Sequence, residues 1–437
     1  MTKKLKTKKD AENSVPLDIP VDGEKSRLLV FADGNFLAHV SRALEVSKIL
    51  RNWGYDIHFA SRGQFRHLIE KAGFIVHNVV TIGRNTTLHH AKKAGLVDKE
   101  WWTDITYRSI DSDIRAIRKV KPYAVLGDMH WSLKASAAYL KRPYISIVNA
   151  HWTKYSSAKM LAPTEHILTR ILGKKITETI LPTVRKMGMQ YWASPYKHWQ
   201  QQNVRSGIKV ESLMDVMEGD LTLMPDIPEF FPVQDKPDSV YFVGPILWKP
   251  DLEVPSWLEN LKPGKPTIYV TMGSTGVKKI LDVSYQAFKE KDYNILATTG
   301  NLQHQDFERH ANFYVTNYAP GLALLAKSDV TVNHAGNGSI YQALAAGVPM
   351  VCIPTHIDQE MNAQRIEHLN CGRFIHECEI TPELLEQEVN HVLEDPVYNN
   401  TVKKVSARFK HLNGQRLAAQ YSHEYLQRGK VVSDPIQ

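Results

Sequence analysis

Cysteine is scarce, with only Cys352, Cys371 and Cys378 among 437 residues. Three thiols cannot build a disulfide framework, and none lies at CxxC spacing, so a cysteine-bound zinc site is excluded and a reducing, cytoplasmic setting is expected. Long apolar runs are lacking too. No stretch approaches the ~20 residues that span a bilayer. Lys3 to Lys9 is followed by polar residues rather than an apolar core, so no secretory signal is read. Concentrated basic charge is the third absence. The formal charge is +8, from 54 Lys+Arg against 46 Asp+Glu. Residues 1–27 hold seven basic and five acidic groups, and the remaining excess is spread thinly over the chain. A nucleic-acid binder would gather its basic residues into one stripe with interleaved aromatics, so nucleic acid is not an expected partner. The Lys-rich leader leaves peripheral contact with an anionic membrane open, and no pattern speaks to oligomeric state.

The chain is 43% hydrophobic and long enough for two or three domains, each with its own core. Residues 1–26 read as a disordered basic leader. From Arg27 short apolar runs alternate with helical periodicity: strands at 27–32, 55–60, 74–80, 123–126 and 144–148, helices at 39–53, 105–119 and 131–140. Repeated βαβ units imply a parallel sheet covered by helices on both faces. Residues 155–205 interrupt this rhythm with long amphipathic helical patterns. Strands at 221–224 and 240–243 close a first domain, 27–244, and a Pro-rich linker follows at 245–266. A second series of strands begins at 267–272 and continues at 293–298, 312–315, 329–333 and 349–353. It defines a C-terminal domain, 267–412, after which a helix at 413–437 is a candidate to pack back on the first domain. Six of nine tryptophans fall between 101 and 199. Core filling accounts for any one of them. Together they make an aromatic acceptor pocket plausible, with Trp131 and Trp152 as its candidates.

Three turns carry chemistry. Asn333-His334-Ala335-Gly336-Asn337-Gly338-Ser339 joins a Val-rich strand to a helix. Gly336 and Gly338 let a ligand approach the backbone, the helix N-terminus offers free N–H groups, and His334 and Ser339 add donors. This is a diphosphate cradle without a P-loop lysine. Gly273-Ser274-Thr275-Gly276 repeats the logic and brings Ser274 to the same anion. Asp358-Gln359, after Pro354, pairs a carboxylate with an amide suited to sugar hydroxyls.

The ordered stretch from Asn317-Tyr318-Ala319-Pro320 through 333–339 and Ala346-Gly347-Val348-Pro349 to Asp358-Gln359-Glu360-Met361-Asn362-Ala363 resembles the donor-binding signature of family 1 nucleotide-sugar glycosyltransferases. The 24-residue interval from His334 to Asp358 matches that family's. Phe242-Val243-Gly244-Pro245 resembles its interdomain junction, and Val270-Thr271-Met272-Gly273-Ser274 its first C-terminal strand and turn. The resemblance implies a GT-B fold, with two Rossmann-like parallel-sheet domains facing each other across a cleft. It also implies an inverting hexosyltransferase that needs no metal or other cofactor. The donor is a UDP- or TDP-sugar, carrying glucose or a relative, and the acceptor a hydroxylated apolar small molecule, such as a natural product. Tyr318 then stands at the base-stacking position, His334, Gly336, Asn337, Gly338, Ser339 and Ser274 at the diphosphate, and Asp358 with Gln359 at the sugar. Gln342 replaces the family's usual ribose-binding Glu.

Glycosyl transfer needs a group to take the acceptor's proton. His39 lies at the start of a helix, fifteen residues before Gly54, in the register of the family's base, although Ala38 replaces the usual preceding Gly. Asp128, after strand 123–126, is the expected partner for the other imidazole nitrogen, with a helix N-cap as its competing role. Asp111-Ser112-Asp113 imitates a metal-binding DxD but lies inside a helical pattern, and His89-His90 is an adjacent pair that does not share a helix face. No metal site is expected. Two alternatives remain open: a nucleotide-sugar epimerase of the same fold, and a catalytically silent nucleotide-sugar-binding protein.

Overall fold

A computed structural model of the chain describes residues 21–87, 98–159, 167–273, 277–300, 310–409 and 412–431. The contacts divide it into two compact units. One comprises Met1–Lys159, Ile180–Ile246 and Asn413–Gln437, and the other Met160–Thr179 and Leu247–Leu412.

The first unit is built on a seven-stranded parallel sheet, ordered β3-β2-β1-β4-β5-β6-β7. Its strands are β1 (Arg27–Ala32), β2 (Asp56–Ala60), β3 (Ile75–His77), β4 (Ala124–Asp128), β5 (Tyr144–Ile147), β6 (Leu221–Met224) and β7 (Val240–Phe242). Central strands such as Leu28-Leu29-Val30-Phe31 are apolar at successive positions because helices cover both faces, so no polar face is needed. On one face lies α1 (Leu37–Asn52), whose Val40, Ala43, Leu44 and Leu50 enter the core. The long helix α2 (Lys99–Val120) covers the other face with Ala116, Ile117 and Val120.

The second unit repeats the plan with six parallel strands ordered β10-β9-β8-β11-β12-β13. They are β8 (Thr267–Thr271), β9 (Asn294–Thr298), β10 (Phe313–Thr316), β11 (Val330–Asn333), β12 (Met350–Cys352) and β13 (Gly372–Phe374). Helix α3 (Asn337–Ala346) follows β11 and α4 (Ile357–His368) follows β12.

Two helices close the described chain, Pro396–Phe409 in the second unit and α5 (Gly414–Arg428) in the first. The break falls where a Cβ on Gly414 would stand 2.3 Å from the Pro245 carbonyl oxygen, so only glycine permits this approach. Helix α5 buries Ala418, Ala419, Tyr421 and Leu426 in the same core as α1. Among the described residues no helix is long and apolar enough to cross a membrane.

Candidate active site

In open parallel sheets ligands gather beyond the carboxyl ends of the strands where the strand order reverses. In the first sheet that point lies between β1 and β4, where Ala32 is in register with Asp128. Just beyond it, His39 Nδ1 stands 2.7 Å from Asp128 Oδ1. An ionised carboxylate only accepts, so Nδ1 carries the proton and Nε2 is the basic nitrogen. The next helix, Leu133–Tyr139, begins behind Ser132, so Asp128 caps no helix. Its carboxylate is fully buried and instead meets a fork from Arg42. Nη2 donates to Oδ1 at 2.6 Å, and Nε to Oδ2 at 2.8 Å. Arg42 Nη1 donates to Asn149 Oδ1 at 2.8 Å. Asp226, also buried, holds this loop by accepting from the Ala150 N–H at 2.6 Å.

Sequence reasoning missed Arg42, Asn149 and Asp226. The legible signal was Arg42 itself, a cation three residues after His39 and so on the same helix face, in an otherwise apolar stripe.

Asp33 and His130 flank the same strand ends. Burial pushes the Asp33 carboxyl above the usual carboxylate value, against its hydrogen bonds to Asn35 and the pull of His39 and His130. Asp113, from the discounted DxD, is fully buried; it accepts from Ser132 Oγ at 2.6 Å and contacts His130 Nε2 at 3.1 Å. Burial lowers the His130 pKa, but the Asp113 carboxylate outweighs it and the net shift is upward. Asp113 thus serves the interior. His89-His90 lies outside the described residues.

The tryptophans divide. Trp102 and Trp199 are buried in a cluster with Tyr196 and Ile110, against which Trp101, Trp131 and Trp192 pack. Trp131 and Trp152 are half-buried and meet edge to face at 5.7 Å, so this pair retains open aromatic surface.

The second sheet's reversal lies between β8 and β11, with Thr271 in register with Asn333. Gly273 and His334 extend from these two strand ends. The His334 ring fills the space where a Cβ on Gly273 or Gly336 would sit, 2.6 and 2.5 Å from its nearest atoms. Burial, with a smaller push from His356, lowers the His334 pKa to about 3 against the pull of a hydrogen bond to the Thr271 backbone, so the ring is neutral. Ala335 adopts φ 57°, a left-handed conformation that costs a non-glycine residue about 1 kcal/mol. It is held from both sides, its N–H donating to Asn333 Oδ1 at 2.8 Å and its carbonyl accepting from Asn362 Nδ2 at 2.9 Å. Asn333 and Asn362 are the missed supports here.

Gly336 is the N-cap of α3 and offers no side-chain cap, so the first N–H groups of the helix stay open beside Asn337, Gly338 and Ser339. Asn337 Oδ1 is buried without a partner among the described residues. Tyr318 is 40% exposed just past β10. Gln342 lies on α3 with Oε1 where a Cβ on Gly321 would be, so Gly321 makes room for it. Asp358 is half-buried in the first turn of α4, while the neighbouring Gln359 turns inward, its Oε1 accepting from both the N–H and the hydroxyl of Thr355 at 2.9 Å. Ser274 lies outside the described residues.

Residues 267–418 match the model of the glycosyltransferase family 28 C-terminal domain. The chain is 27% identical over 399 residues, 91% of each sequence, to a PGL/p-HBAD biosynthesis glycosyltransferase of Mycobacterium tuberculosis. It is 28% identical over 386 residues to a PGL/p-HBAD biosynthesis rhamnosyltransferase of Mycobacterium bovis, covering 88% of this chain and 83% of that one. The solved glycosyltransferase VinC, in complex with DTDP, superposes with a TM-score of 0.64 at 17% identity, covering 90% of this chain and 99% of that one. The chain has the GT-B fold and is a glycosyltransferase.

Proposed function

We propose that the protein moves a hexosyl group, glucose or a related sugar, from a UDP- or TDP-sugar to a hydroxyl of an apolar small molecule, with inversion at the anomeric carbon. The observation that carries this reading is the His39–Asp128 contact at the reversal point of the first sheet. His39 Nε2 takes the acceptor's proton as the oxygen attacks C1 from the face opposite the diphosphate. Asp128 holds the productive tautomer. In the second unit the open N–H groups of α3, neutral His334 and the 336–339 turn take up the charge growing on the leaving diphosphate. This assigns that charge to protein donors rather than to a metal. Ser274 belongs to the same proposed set by its place in the motif.

Tyr318 offers an exposed ring to the base, and Asp358 accepts from sugar hydroxyls. Gln359 assists through its amide, since its oxygen is engaged with Thr355. Gln342 has a single acceptor oxygen, which suffices for the one free hydroxyl of a deoxyribose. With a rhamnosyltransferase among the relatives and DTDP bound to a structural neighbour, this supports thymidine donors as well as uridine ones. Trp131 and Trp152 offer an aromatic wall to the acceptor.

The test is nucleoside-diphosphate release from a panel of uridine and thymidine sugars, with and without hydroxylated aromatic acceptors. Acceptor-dependent release is expected, and His39→Ala should reduce it by about 10²–10⁴-fold while nucleotide binding persists. Turnover unchanged in that variant overturns the assignment of the base. Sugar isomerisation without acceptor would instead indicate an epimerase, and binding without any turnover a silent binder.

A further inference from the structure

We infer that Arg42 is a charge-balancing positioning residue, which cancels the charge of Asp128 so that His39 works against a neutral partner rather than a bare carboxylate. This rests on the reading of His39 as the base.

The geometry distinguishes this arrangement from a simple histidine–aspartate pair. Asp128 is fully buried, and both its oxygens are taken by the Arg42 fork at 2.6 and 2.8 Å. A planar guanidinium meeting a carboxylate at two points is the strong form of the ion pair, and in a dry site its charges largely cancel toward a third group. His39 is that third group. It shares Oδ1 with Arg42 Nη2, and Nη2 approaches His39 Nδ1 to 3.5 Å. If Nδ1 carries its proton, this last contact sets two donors side by side, so a positive imidazolium would form next to a permanent cation.

The other groups around His39 act in the same direction or balance one another. His39 is the third residue of α1, where the helix N-terminus disfavours added positive charge. Asp33, from the β1–α1 turn, faces both His39 and His130, and burial opposes its ionisation. His130, from the turn after β4, is matched by Asp113 of α2. Burial thus works against a charged Asp33, Asp113 matches His130, and Arg42 offsets Asp128, the carboxylate in direct contact with His39. When the acceptor O–H bond breaks, its proton passes to Nε2, while Nδ1–H keeps its bond to Asp128.

Replacing Arg42 with Met leaves Asp128 facing His39 alone, which favours the imidazolium and empties the base as pH falls. In Arg42→Met the ratio of variant to native kcat/KM should fall as pH is lowered from about 9, by up to about tenfold. Arg42→Lys keeps the charge but loses the fork, so its profile should keep the native shape at reduced height. An equal loss at every pH in Arg42→Met reduces Arg42 to a structural prop and overturns the inference. If Arg42→Met does not fold, Arg42→Gln decides, since it removes the charge but keeps a hydrogen-bonding side chain: a profile depleted on its acid side supports the inference, and an equal loss at every pH overturns it. His39→Ala, assayed alongside, separates the two levels. Undiminished turnover there sinks the base, whereas an inactive His39→Ala with a flat Arg42→Met ratio sinks only the role of Arg42.

Discussion

Two residues without side chains, Gly273 and Gly336, shape the proposed donor site through the space they leave for the His334 ring. Gly336 has an ordinary extended backbone, so glycine is required there by space rather than conformation. A Cβ would lie 2.5 Å from His334 Nε2, and His334 is itself fully packed. The ring has nowhere to go without moving the turn that presents the N–H groups of α3. Gly336→Ala should therefore weaken nucleoside-diphosphate binding at least about tenfold, as a displaced donor set loses one or two hydrogen bonds. Removing the ring should rescue it: in His334→Ala/Gly336→Ala, calorimetry should show a smaller penalty for the added methyl than in the single variant. Equal penalties in both backgrounds would mean that the methyl group disturbs something other than His334.

At the scale of elements, α5 ties the end of the described chain to the helix bearing His39 and Arg42. Tyr421 is completely buried and its ring lies 5.2 Å from that of Tyr241 on β7. Tyr421→Ala should cost about 3–5 kcal/mol, the usual loss for a large core aromatic, in urea unfolding of the first unit. A loss below about 1 kcal/mol would show that α5 is dispensable to that core. The βαβ alternation was legible because strands buried on both faces read as short apolar runs, which is how β1, β4 and β8 stood out. Gly372–Phe374 did not, since a three-residue edge strand has too little pattern. In the proposed site, His39, His334 and Asp358 stood out through their register with the family resemblance. The parts of Arg42, Asn149 and Asn362 did not, although Arg42 shares a helix face with His39, because they depend on partners distant in the chain that only the folded sheet brings near.

For the whole molecule, acid stability depends on groups whose shifts oppose each other. Asp33 has its folded value raised by burial, so the folded state holds that proton more firmly, and the stability it adds is present at low pH and lost as pH rises. His334 acts the other way. Its ordinary value is 6.5 and its folded value about 3, so the unfolded chain takes up a proton that the folded chain refuses. The stability it contributes is complete above about 6.5 and falls as pH drops toward 3, at up to about 1.4 kcal/mol per pH unit in the middle of that window. His334→Gln removes the titration while keeping a polar side chain of similar reach, so the difference between the two proteins isolates this one group from Asp33 and every other carboxylate. Unfolding free energies at about pH 7, 5.5 and 4 should show the native protein losing several kcal/mol more than the variant over that range. Parallel curves would mean that His334 gains a proton without unfolding, and the neutral donor assigned to the diphosphate would then become a cation in mild acid. Donor affinity separates these cases: a neutral His334 leaves it flat between pH 7 and 5.5, and a titrating one makes it rise.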